Sequence, residues 1–119
     1  MESTRVDKPW GHEIIWARTD RYVGKILHIT AGQRLSYQYH RVKEETLRVL
    51  GGTMRLVFDV GEGQQEQEMG VGEVFHVSPG TKHRMIAVTD VDVLEVSTPE
   101  LDDVVRLEDD YGREGTSAP

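Results

Sequence analysis

Apolar residues recur along the chain mostly at every second position, in short runs broken by glycine, proline and turn dipeptides. That period belongs to strands with one covered face, not to helices. His12–Trp16 predicts a short strand, and after a turn at Thr19-Asp20-Arg21 a second covers Tyr22–Thr30, with Lys25, Leu27 and Ile29 on one face. Ala31-Gly32-Gln33 turns the chain into a strand over Arg34–His40. There Arg34, Ser36, Gln38 and His40 share one face, and Leu35, Tyr37 and Tyr39 the other. A polar face backed by an apolar one suits a barrel with a functional interior.

Arg41-Val42-Lys43 bulges or turns before a strand that aligns Glu45, Leu47 and Val49. Gly51-Gly52 bends into Thr53–Val60, where Met54, Leu56 and Phe58 alternate with Arg55 and Val57. Residues 61–67 read as an exposed hairpin loop. Glu73–Val77 and His83–Thr89 flank a Ser-Pro-Gly turn, and Val91–Ser97 completes the set. Residues 1–9 are polar and read as loose as far as Pro9. The tail from Leu101 is open between a short helical turn and a segment lying across the barrel. Many short strands without an amphipathic helix predict an all-β barrel or sandwich. One domain is expected over 1–119, with the barrel at about 10–98 and the tail at 99–119.

Composition narrows the function. The 119 residues suit one modest core. Fourteen Lys and Arg against 21 Asp and Glu give a formal charge of −7, which argues against a nucleic-acid partner. It leaves room for a small anionic ligand, because local cations and a metal override the overall sign. The chain has no cysteine, so disulfides and thiolate sites are excluded and a cytoplasmic setting is expected. No apolar run approaches a membrane span, and no signal-like segment opens the chain.

The chemistry concentrates in two stretches, 32–52 and 72–83. Gln38 and His40 point the same way from one extended segment, Glu44 and Glu45 follow, and the Ser-Pro-Gly turn aims His83. Two imidazoles, an amide oxygen and a carboxylate converging from different strands make a candidate metal site with positions open to a small ligand. Alternation lets only one of Glu44 and Glu45 face it. His12, His28 and His76 form no set and read as surface or strand-face residues, although His76 shares parity with Val74 just before the turn.

These stretches resemble the two motifs of the cupin superfamily, G-x5-H-x-H-x(3,4)-E-x6-G and G-x5-P-x-G-x2-H-x3-N. Gly32, His40, Glu45 and Gly52 match the first, with Gln38 replacing its first histidine. Gly72, Gly80 and His83 match the second, with Ser78 at the proline position and Ala87 for the terminal asparagine. Within the superfamily the chain is similar to type II mannose-6-phosphate isomerases, the small cupins related to the C-terminal domain of mannose-1-phosphate guanylyltransferases. KPWG at 8–11, RLSYQYH at 34–40, PGTKHR at 79–84 and VVRLEDDYGR at 104–113 carry that likeness.

The resemblance implies a cupin jelly roll (a double-stranded β-helix) binding one divalent ion, zinc, manganese, iron or nickel, through Gln38, His40, Glu45 and His83. The spacing from glutamate to the glycine-threonine pair selects Glu45 over Glu44. It further implies an aldose–ketose isomerase acting on a phosphosugar by proton transfer next to a carbonyl, with Glu44 and Glu95 as candidate proton carriers. Lys25, Arg34 and Arg84, and less so Arg48, are candidates to hold the phosphate, Arg34 because it shares the ligand face. Trp10 reads as a pin for the N-terminal segment.

The chain departs from the isomerase pattern Q-x-H-H-H-R-x-E-H-W, reading QYHRVKEETL. That keeps two alternatives in view: a non-catalytic metal-dependent binding cupin and a cupin dioxygenase. No glycine-rich nucleotide signature is present, which sets guanylyltransferase activity aside. A homodimer is the expected assembly, since barrel edges need protection.

Overall fold

The computed structural model describes residues 2–116. Twelve strands follow in order: β1 Thr4–Lys8, β2 Gly11–Arg18, β3 Val23–Ile29, β4 Tyr37–Tyr39, β5 Glu45–Gly51 and β6 Met54–Asp59; then β7 Gln65–Met69, β8 Val74–Val77, β9 Lys82–Ala87, β10 Val91–Ser97, β11 Val105–Glu108 and β12 Gly115–Thr116. No helix occurs among the described residues. Two six-stranded sheets form, ordered β1-β2-β3-β10-β5-β8 and β12-β11-β4-β9-β6-β7, with every pairing antiparallel. The architecture is the all-β jelly roll.

The core lies between the sheets because alternation sends one side of each strand inward. Leu27 and Ile29 from β3, Leu47 and Val49 from β5, and Val91 and Val93 from β10 meet Met54 and Leu56 from β6 and Met85 and Ala87 from β9. Trp10 joins this cluster and is 4% exposed, so KPWG pins the start of the barrel. On the far side of β3, the Trp16 indole lies across Gly24, which has no side chain to keep it off.

Four segments differ from their sequence pattern. Residues 4–8 are not loose; they pair with β2 from Thr4↔Ile15 to Lys8↔Gly11. Residues 65–67 belong not to a loop but to β7, which pairs with β6 from Phe58↔Gln65 to Met54↔Met69. Both are edge strands in which most side chains face solvent, so the apolar alternation that announces a strand is missing. Of residues 34–40 only Tyr37–Tyr39 is regular strand. Arg34 makes an isolated bridge to Ile86, and Leu35 turns inward to the core rather than sharing a face with Tyr37. The tail resolves as β11, antiparallel to β4 with Val105 opposite Tyr39 and Arg106 opposite Gln38. Residues 117–119 of the expected tail lie outside the described residues.

Gly52 makes the β5–β6 turn at φ 82°, and a Cβ there would run into the Asp90 carbonyl oxygen. Gly52→Ala is therefore expected to lower stability by about 2 kcal/mol in chemical denaturation, without moving the metal cluster described below.

Candidate metal centre

Along the barrel the inward positions change character partway. Val91 and Val93 give way to Glu95 and Ser97 on β10, and Val49 and Leu47 to Glu45 on β5. Ala87 and Met85 likewise give way to His83 on β9, and Ile29 and Leu27 to Lys25 on β3. Strand register then sets the polar ends side by side: Glu95 lies opposite Lys25, Ser97 opposite Glu45, and Gln38 opposite His83. One end of the interior is hydrocarbon and the other is a polar cavity.

His40, Glu45 and His83 are all buried, and their candidate ligand atoms lie within 4.8 Å of one another. Glu45 Oε1 stands 3.2 Å from His40 Nε2 and 3.1 Å from His83 Nε2. The opposite ring nitrogens define the tautomers. His40 Nδ1–H donates to the Asp103 carbonyl at 2.6 Å, and His83 Nδ1–H donates to the Thr81 carbonyl at 3.0 Å. A neutral imidazole protonated at Nδ1 presents a bare lone pair at Nε2. His83 Nε2 is buried without a hydrogen-bond partner, although it lies so close to the carboxylate. Lone pairs facing one another at this distance are what a cation reconciles, and carbonyls gripping the far nitrogens are the usual support of histidine ligands. The three side chains can hold a divalent ion with mixed nitrogen and oxygen donors.

Gln38 lines the same cavity, and its Oε1 accepts a hydrogen bond from Ser36 Oγ at 2.6 Å, which leaves a second lone pair. Glu44 falls elsewhere. Because Glu45 points inward, Glu44 points outward, half-exposed, with Oε2 2.5 Å from His76 Nε2. It is not placed to move a proton in the cavity, and His76 faces solvent with it. Glu95 is inside, 5% exposed.

Lys43 is the residue that the strand pattern missed. The Asp103 carboxylate accepts the backbone N–H groups of Arg41, Val42 and Lys43 at 3.0, 2.6 and 2.8 Å, gathering residues 41–43 into a tight loop. Partial burial opposes the Asp103 charge, but these three donors outweigh it and hold the carboxyl below the usual aspartate range. Lys43 Nζ is thereby brought 3.3 Å from Glu45 Oε2 and 3.3 Å from Glu95 Oε2. Burial works against the ammonium charge, yet Glu95 and Glu45 raise its pKa above the ordinary lysine value. Burial likewise opposes ionisation of Glu45, and the Lys43 ammonium beside it overcomes this, so its pKa falls well below normal. Glu95 goes the other way: burial and the Glu45 charge raise it, against Lys43 and Lys25. Lys43 shares parity with Glu45, a signal hidden because 41–43 read only as a connection.

The candidate phosphate holders scatter. Lys25 is inside, with Nζ 3.4 Å from both Glu13 oxygens. Arg34 is outside, gripped by Asp110 through Nε at 2.7 Å and an Nη at 2.9 Å, because the chain is irregular there and loses strand alternation. Arg84 is buried on the far side of β9 from His83, donating to the carbonyls of Leu35 and Glu108. Arg48 is exposed. Arg34, Arg84 and Arg48 are therefore not in the cavity wall.

A match to the cupin domain family covers residues 25–97, which is more than half of the chain and contains Gln38, His40, Glu45 and His83. The chain is a cupin. It is 33% identical over 113 residues to the mannose-1-phosphate guanylyltransferase ManC of Salmonella typhimurium, covering 91% of this chain and 23% of that protein. The cupin thus spans about a quarter of the length of this curated relative. Among solved structures it is similar to KdgF from Halomonas sp., with TM-score 0.71, 17% identity, and 83% of this chain and 88% of that chain covered. It is also similar to the capsular polysaccharide assembling protein CapF of Staphylococcus aureus, with TM-score 0.74, 19% identity, and 90% and 34% covered. At these identities the structural likeness speaks for the fold alone.

Asp103→Asn replaces an acceptor of three N–H groups by an amide that must present one NH2 to them. It is expected to destabilise the cupin by about 1–2 kcal/mol and to weaken metal binding on the order of tenfold, read by thermal unfolding and a metal titration.

Proposed function

We propose that this cupin is a metal-dependent isomerase of the aldose–ketose kind acting on a phosphosugar, as in the type II mannose-6-phosphate isomerases it resembles. The observation that supports this reading is the buried His40–Glu45–His83 cluster together with a cavity lined by His40, Glu45 and a second inward carboxyl, Glu95. Gln38, His40, Glu45 and His83 would hold the ion. Bound there, a divalent ion supplies charge stabilisation to the oxygens of a substrate carbonyl and its neighbouring hydroxyl. Glu95 is the proton carrier of this proposal, and Lys43 is its positioning partner at 3.3 Å. Similarity to a mannose-1-phosphate guanylyltransferase favours a sugar phosphate as the ligand class.

A second reading, a binding cupin without turnover, draws on one observation. The cavity has a volume of about 60 Å³, well below the roughly 300–1,000 Å³ of ordinary small-molecule pockets. Turnover of a phosphosugar would need more room than this cavity offers.

Elemental analysis of the purified chain, paired with an assay interconverting mannose 6-phosphate and fructose 6-phosphate, tests both readings. About one metal ion per chain is expected, with activity lost together with the metal in His40→Ala and His83→Ala. Metal without turnover, accompanied by ligand-induced stabilisation, selects the binding cupin; no metal in the wild type removes both. The homodimer is proposed on the apolar outer face of the first sheet, where Trp16, Leu50, Val74 and Val96 are each more than 40% exposed. Light scattering at twice the 13.5 kDa chain mass is the expected result, and a monomer overturns it.

A further inference from the structure

Three of the four candidate ligands can offer an ion only one atom each. His40 and His83 commit Nδ1–H to the carbonyls of Asp103 and Thr81, which leaves Nε2. Gln38 has a single oxygen, and Ser36 Oγ already donates to it at 2.6 Å. Glu45 differs by its chemistry, because a carboxylate binds an ion through one oxygen or chelates it through both. Its Oε1 lies 3.2 and 3.1 Å from the two Nε2 atoms, whereas its Oε2 lies 3.3 Å from the Lys43 ammonium.

The strands on either side of Glu45 leave Oε2 to Lys43. Ser97 faces Glu45 across the β5–β10 register, but its Oγ donates to the Thr98 carbonyl at 2.9 Å. Val77, opposite Glu45 on β8, has no polar side-chain atom. Glu95 is held by the same ammonium, at 3.3 Å. Lys43 is buried, and its loop is gathered by the Asp103 carboxylate through three backbone N–H groups. The ammonium is thus delivered to Oε2 by an anchored backbone.

We propose that Lys43 restricts Glu45 to one-oxygen ligation, keeping Oε2 from the ion and leaving Oε1 to join the two imidazoles and the Gln38 amide. A divalent ion that accepts six donors then keeps two positions for exchangeable oxygens. A chelating carboxylate would take one of them. The ammonium also brings charge of the ion's own sign to the shared carboxylate, so it tempers affinity. This role rests on the cluster holding a divalent ion, as proposed above, and not on turnover.

Manganese chloride is the probe, added to the purified full chain. Water-proton relaxivity of the loaded protein counts the exchangeable waters on the ion, and calorimetric titration gives its affinity. Lys43→Met is expected to lower the relaxivity by the contribution of one water and to tighten manganese binding on the order of tenfold. Lys43→Arg keeps the cation and is expected to return both readings toward the wild type. A residue that merely supports a metal ligand has the opposite signature, since its loss weakens binding by about 10–100-fold. Wild-type relaxivity in Lys43→Met, or weaker binding by it, overturns the role of Lys43 and leaves the metal centre standing. No manganese binding by the wild type overturns it too, and elemental analysis of the same chain then shows whether the centre itself falls. Relaxivity is read with the ion bound, so a Lys43→Met chain that folds only with manganese is still measured. One that does not fold even then assigns Lys43 to the stability of the barrel and overturns the proposal.

Discussion

Everything at the polar end of this barrel depends on burying one ionised carboxylate. Glu45 is 3% exposed, and an isolated carboxylate there would either protonate or drive the barrel open. Lys43 takes one oxygen, and two imidazole nitrogens crowd the other at 3.1–3.2 Å. That satisfies charge without satisfying hydrogen bonding, because both histidines spend their Nδ1 protons on backbone carbonyls. A bound divalent cation would resolve the imbalance with the groups already present.

The tail is as much a part of the centre as the barrel. The Asp103 side chain organises residues 41–43, and its carbonyl orients His40. A few residues on, β11 pairs with the strand that carries Gln38 and brings Arg106 to the cavity. Loop, histidine and cation are thus coupled through one short segment. Leu101, Val104 and Arg106 of the same segment line the cavity, so the tail belongs to its wall as well as to the support of the centre.

Much of this was legible in advance, for reasons that can be named. The interior of β3, β5, β6 and β10 follows a strict period of two, so Leu27, Leu47, Met54 and Val93 announce the core. Alternation allowed only one of Glu44 and Glu45 to face inward, and the spacing of the cupin motif selected Glu45. The edge strands β1 and β7 were invisible because solvent accepts polar residues on either face of an edge. Arg34 misled because the alternation was carried through residues 34–36, where the backbone is not strand.

By itself the chain's order determined the strand alternation, the turn at Gly52, the inward carboxylate and the two histidines, because those are local consequences of side-chain direction and backbone freedom. Only the folded molecule decided that Lys43 would bridge Glu45 and Glu95, and that Lys8 and Lys25 would share Glu13. It likewise brought Asp103 to a loop some sixty positions earlier. Such pairings arise from register between distant strands and from the competition of buried charges for too few partners. Neither is encoded in the spacing of neighbouring residues.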